Sequence, residues 1–225
     1  MALDLNADAM KDARRNMVDC QVRPSDVTRL DLIEAMLWAP RERLLPKARR
    51  ATAYVGEHVE IAPGRFELDP RVFAKMIDAS RVGENDLALV VGGGYGYAAA
   101  VLSRLAAAVV TLEQEEGLTA SAQTALSELD ADNVICVEGP LAEGCAEHAP
   151  YDVIIVNGGL EATPRALLDQ LAPGGRLVQI RVDGPVGRCE TVIKSGENDA
   201  TGARRAFDAM APILPGFFRP AAFEF

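Results

Sequence analysis

The chain has 225 residues, 49% of them hydrophobic and 25% charged, enough for one sizeable domain with a buried core. Its 33 acidic and 23 basic residues leave a formal net charge of −10, which works against nucleic acid as a partner because phosphates would be repelled. No apolar run approaches the roughly 20 residues that span a bilayer, and the acidic start MALDLNADAM is unlike a secretory leader, so a cytoplasmic protein with no membrane partner is expected.

Helical periodicity comes first, over residues 7–20, 28–38 and 70–80. In the third of these, Pro70 suits a first helical turn, and Val72, Phe73, Met76 and Ile77 recur on one face. The segment 53–69 between the last two reads as loop, and Lys47, Arg49 and Arg50 before it as a solvated basic face. MVDCQVRPSD, ahead of the second helix, carries no assignable role beyond a possible cover for a ligand site.

The pattern changes near residue 82. Apolar strands over 87–91, 109–113, 134–138, 153–156 and 176–181 alternate with helices over 98–105, 118–129 and 164–171, the signature of a doubly wound parallel sheet. In the last third, 190–194 and 221–225 read as antiparallel edge strands, the latter packing Phe223 and Phe225 on alternate positions. Residues 1–81 thus form an N-terminal helical region and 82–225 a Rossmann-like domain, together in one compact unit.

Four cysteines without a C-x-x-C pair, with only His58 and His148 besides, show no metal-ligand spacing, and Cys136 in its apolar run reads as core. The informative stretch is LALVVGGGYGYAAA. Gly92, Gly94 and Gly96 spell G-x-G-x-G, with Tyr97 where the dinucleotide fingerprint needs glycine, and no lysine follows as a P-loop requires. Such a turn suits a ligand without phosphates, such as S-adenosylmethionine, whose carboxylate can take backbone N–H groups. Glu113, ending the next strand, can accept both ribose hydroxyls. The same acid would serve NAD, so by itself it selects an adenosine ligand and no more. The competing account is a tight structural turn with Glu113 as a solvated strand end. An oxidoreductase is disfavoured by Tyr97 and by the lack of a Tyr-x-x-x-Lys proton donor.

Three longer stretches carry a resemblance. AMLWAPRERLLP is similar to A-M-x-x-V-P-R-E-x-F-V-P, with Ala53-Tyr54 after it. GGGYGYAAAVLSRLAAAVVTLE resembles G-T-G-S-G-Y-x-x-A-V-L-A-x-L and the following acid. APYDVIIVNGGLEATPRALLDQLAPGGRLV resembles A-P-Y-D-x-I-x-V-x-A-A-x-x-x-x-P-x-x-L-x-x-Q-L-x-x-G-G-R-L-V. These are motifs of the protein-L-isoaspartate O-methyltransferase family. The resemblance implies an α/β, doubly wound, seven-stranded S-adenosylmethionine-dependent methyltransferase fold (Rossmann-like) with an N-terminal helical extension. It also implies S-adenosylmethionine as cofactor and methylation of isoaspartyl carboxylates in damaged proteins or peptides. The cofactor would then meet Gly92, Gly93, Gly94, Gly96, Tyr97, Glu113, Gly139 and Asn157. A carboxylate with a pKa of about 4 is already ionised at neutral pH, so alignment rather than a general base is the enzyme's main task.

The chain departs from the pattern at four places. Its loop GRFELDP puts Leu68 where the family's G-x-x-x-S-Q-P has a substrate-binding serine, with Asp69 beside it. Val90 replaces an acid ahead of the glycines, Pro140 follows Gly139 where the family has G-D, and Gly158-Gly159 replaces A-A after Asn157. Glu115 and Glu138 are the nearest acids for a substitute role. Two expectations follow: an active carboxyl methyltransferase, in which Arg65 or His58 meets the substrate and Asn157 lines the site, or a member that keeps the fold as a binding or regulatory protein.

Overall fold

The computed structural model describes residues 7–196 and 200–219. Helix α1 (Ala7–Met17) runs on through a wide turn over Val18–Val22 to α2 (Leu30–Trp38). A short antiparallel hairpin, β1 (Val59–Ala62) and β2 (Arg65–Glu67), precedes α3 (Pro70–Ser80). The sheet-forming part follows as β3 (Leu87–Val91), α4 (Tyr97–Leu102), β4 (Ala108–Glu113), α5 (Glu116–Ser127), β5 (Val134–Glu138), β6 (Tyr151–Leu160), α6 (Arg165–Asp169), β7 (Leu171–Asp183), β8 (Val186–Lys194) and β9 (Thr201–Asp208).

Seven strands make one sheet in the order β5-β4-β3-β6-β7-β8-β9. The first five in that order are parallel, and β8 and β9 each pair antiparallel with their neighbour. Strand order reverses at β3, which lies between β4 and β6, and the crevice beyond the carboxyl ends of these strands is where open α/β sheets bind ligands. The glycine turn and Glu113 both sit at that point.

Alternation along β3 shows why the sheet is covered on both faces. Ala88 and Val90 enter one apolar cluster with Phe73, Met76 and Ile77 of α3, whereas Leu89 and Val91 enter another with Leu167 of α6. Each fully buried aliphatic side chain contributes about 1.5–3 kcal/mol of transfer free energy. Met17, Val18 and Val22 join the first cluster, so the stretch MVDCQVRPSD is a packing element against α3.

The strands differ from expectation in two instructive ways. β6 extends through Asn157-Gly158-Gly159 to Leu160 after a register shift, because the backbone of 211–214 pairs with it from outside the sheet. β9 was not expected at all: TGARRAFD has no apolar alternation, since this edge strand lies almost wholly exposed. The strand expected over 221–225 lies outside the described residues. No helix among the described residues is long and apolar enough to cross a membrane.

Candidate active site

The turn after β3 needs its glycines. Gly94 and Gly96 hold φ of +54° and +92°, a left-handed region that side-chain-bearing residues rarely adopt. Four of the turn's amides bond to its own scaffold. Gly92 and Gly93 N–H both donate to Leu112 O, at 2.9 and 3.1 Å, and Gly96 N–H donates to Gly93 O at 2.9 Å. Gly94 N–H donates to Glu113 Oε2 at 2.9 Å. Asn157, buried at the end of the apolar run of β6, donates from Nδ2 to Gly92 O at 3.2 Å and so braces the turn from below. Gly139 N–H donates to Glu113 O at 3.0 Å, which ties the end of β5 to the same strand tip.

Glu113 is buried, not solvated, and its partner is internal. Arg65 Nη2 donates to Glu113 Oε2 as a buried ion pair, so one carboxylate oxygen takes both the guanidinium and the Gly94 amide. Glu113 Oε1 takes the Gln114 N–H at 2.9 Å. This corrects the expectation for Arg65. It does not face an incoming substrate carboxylate, because the hairpin turns its guanidinium inward onto the protein's own acid. The space over the turn is filled as well. A Cβ placed on Gly92 would lie 3.2 Å from Leu214 and 3.4 Å from Arg65 Nη2, and one on Gly94 would lie 2.7 Å from Ile61.

Leu214 reaches this place because Gly158-Gly159 lets another backbone approach. Gly159 N–H donates to Pro212 O at 2.8 Å, Leu214 N–H returns to Gly159 O at 2.9 Å, and a Cβ at Gly159 would stand 2.5 Å from Ala211 O. Double glycine after a strand is a signal for such close approach. The identity of the approaching segment was not legible.

Beneath the hairpin lies a second buried pair that sequence reasoning missed. Arg41, within the A-P-R-E stretch, is fully buried. It donates to Ala53 O at 2.8 Å and Leu68 O at 2.6 Å, and pairs with Glu67 at 3.4 Å. Burial pushes the Glu67 carboxyl above the usual carboxylate range, with Arg41 and Arg65 pulling the other way. The guanidinium of Arg41 also stacks 4.6 Å over the Tyr97 ring. That ring packs against Phe73 at 5.3 Å in the main core, and burial pushes its hydroxyl up to about 12. Tyr97 is therefore no wall of the ligand seat. Leu68 is buried in the same core, with only its backbone engaged in the polar network. The Asp69 carboxylate beside it caps α3, accepting from the Arg71 and Val72 amides at 2.7 and 3.4 Å.

Four buried polar atoms around the turn have no hydrogen-bond partner among the described residues besides Tyr97 Oη: Arg65 Nε and Nη1, Glu67 Oε2 and Asn157 Oδ1. Each unpaired buried donor or acceptor costs about 1–3 kcal/mol. Close by, His58 accepts the Asp69 N–H on Nδ1 at 2.9 Å, so its Nε2 carries the proton and donates to Met210 O at 2.9 Å, linking the hairpin to the strap that bears Leu214. A cleft of about 510 Å³ opens there, between Asp69, Arg71, Lys75 and Met210. Val90 is interior to β3, and Glu115 and Glu138 are exposed.

The glycine turn and Glu113 thus meet at the switch point of the sheet, and in this conformation the place above them is closed. The amides of Gly92, Gly93, Gly94 and Gly96, the Glu113 carboxylate and the space above them are taken by the chain itself.

Comparison with known proteins agrees with the topology. The profile of the Protein-L-isoaspartate(D-aspartate) O-methyltransferase family matches residues 13–206. A protein-L-isoaspartate O-methyltransferase of Pelotomaculum thermopropionicum is 40% identical over 174 residues, 77% of this chain and 74% of that one. A second, from Syntrophobacter fumaroxidans, is 39% identical over 189 residues, 84% of this chain and 74% of its own. Among solved structures, a putative protein-L-isoaspartate O-methyltransferase of Plasmodium falciparum in complex with S-adenosyl-L-homocysteine shares the fold, with a TM-score of 0.74 at 18% identity, covering 91% of this chain and 97% of that one. With the seven-stranded order, the glycine turn and the acid at the neighbouring strand tip all in place, the chain belongs to the protein-L-isoaspartate (D-aspartate) O-methyltransferase family.

Proposed function

We propose that the protein transfers a methyl group from S-adenosylmethionine to the carboxylate of isoaspartyl residues in damaged proteins or peptides. The observation that carries this is the buried Glu113 carboxylate held 2.9 Å from the Gly94 amide at the switch point of the sheet, in a chain of this family. The family works with S-adenosylmethionine, and relatives about 40% identical carry the isoaspartate O-methyltransferase name. No general base is required, since the accepting carboxylate is ionised at neutral pH. The chain's own part is to hold the acceptor in line. A cytoplasmic setting is supported by four cysteines with no disulfide between them.

A methyl-transfer assay with labelled S-adenosylmethionine on an isoaspartyl peptide and its aspartyl counterpart tests the proposal. Label should appear on the isoaspartyl peptide only. Equal labelling of both would reject the substrate, and no labelling of either would favour the second reading, a binding or regulatory member. That reading is favoured by one specific contact, the Arg65–Glu113 pair inside the seat.

A further inference from the structure

We propose that the β1–β2 hairpin is a lid that occupies the nucleoside seat itself, so that hairpin docking and cofactor binding exclude each other. The inference rests on the methyltransferase reading above and adds a control to it. Arg65 gives Glu113 the charge-assisted bond that ribose hydroxyls would otherwise make, and Ile61 from the other strand of the hairpin stands over Gly94. One small element thus blocks both the polar and the apolar half of the site.

The hairpin is a small element of its own, tied to the body beneath it by the buried Arg41–Glu67 pair. Its two strands pair only with each other, and Val59 and Ile61 rest with Leu45 and Ala53 in a small apolar cluster apart from the two that cover the sheet. The closed state is also incompletely satisfied. Arg65 Nε and Nη1, Glu67 Oε2 and Asn157 Oδ1 find no partner among the described residues. Groups left unserved at the rim of the closed seat can be served by a ligand or by water once the hairpin lifts, which limits how strongly closure is favoured. A nucleoside that binds only the open form has its apparent affinity reduced by the open fraction. Removing the guanidinium should restore it.

Calorimetric titration with S-adenosylhomocysteine, on the wild-type chain and on Arg65→Met, tests this. The methionine keeps the apolar stem of the side chain and loses the charge. Arg65→Met should bind at least about tenfold tighter, the equivalent of one charge-assisted hydrogen bond released to the ligand. Wild-type binding as tight as the variant's, or tighter, would overturn the lid and leave the function standing. No binding by either folded protein at millimolar nucleoside would sink both. Should Arg65→Met fail to fold, hydrogen exchange on the wild type decides: saturating S-adenosylhomocysteine should speed exchange of amides 59–67, and unchanged or slower exchange there would reject the lid.

Discussion

Arg41 shows how a single buried charge can hold a site together without touching a ligand. Its guanidinium joins three segments, 53, 67–68 and the ring of Tyr97, and lies wholly out of water with Glu67. Replacing one partner of a buried pair strands the other, and Arg41→Met should cost about 3–5 kcal/mol in urea unfolding. The loss should carry a sign in pH. Stranded in the variant, the Glu67 carboxyl rises further above its ordinary value. Stability is then present below the unfolded value near 4.5 and lost as pH climbs through the folded one. The deficit should shrink at pH 5 relative to pH 8. A deficit equal at both pH values would mean that lost packing, not stranded charge, is responsible. Nothing in the sequence marked Arg41 or Glu67 as a pair, because the 26 positions separating them close only through the hairpin. Glu113, by contrast, was legible as an acid at a strand tip. Its guanidinium partner was not.

At the scale of elements, α3 was readable to the residue. Pro70 enters at the first turn, the apolar face follows the helical period, and Arg81 closes it in a left-handed conformation. Asp69, beside the substrate loop, is its cap. Asp69→Ala should cost about 0.5–2 kcal/mol by thermal or urea unfolding, and Asp69→Asn much less, since an amide oxygen still caps. A loss in Asp69→Asn as large as in Asp69→Ala would point to the Arg71 ion pair instead. The hairpin before α3 was read as loop because four-residue and three-residue strands leave too little alternation to detect. β9 escaped for another reason. Edge strands beyond the helical cover need no apolar face, and the charges of Arg204 and Arg205 there discourage further strand pairing.

On the scale of the whole molecule, the core was legible because central parallel strands such as β3, β4 and β6, buried on both faces, must read as apolar runs, and they do. The occupant of the crevice was not, because it comes from segments far along the chain: residues 61 and 65 on one side, 214 on the other. The same long-range closure buries aromatic hydroxyls. Burial holds Tyr54, Tyr97 and Tyr151 above the usual phenol range, Tyr97 to about 12. Raised values place their contribution to stability below the unfolded phenol value of about 10, and it is lost as pH rises from there through about 12. Alkaline titration should therefore show tyrosinate absorbance of these residues appearing together with the loss of circular dichroism. Full tyrosinate absorbance while the helical signal persists would contradict their burial.

In the function proposed above, Glu113 beside the glycine turn anchors the nucleoside and Arg65 stands in for the nucleoside when it is absent. A crystal structure of the wild-type protein with S-adenosylhomocysteine tests it most directly. The account predicts the ribose hydroxyls on the Glu113 carboxylate and the Arg65 guanidinium withdrawn with its hairpin. A nucleoside seated elsewhere, with the Arg65–Glu113 pair intact, would contradict it.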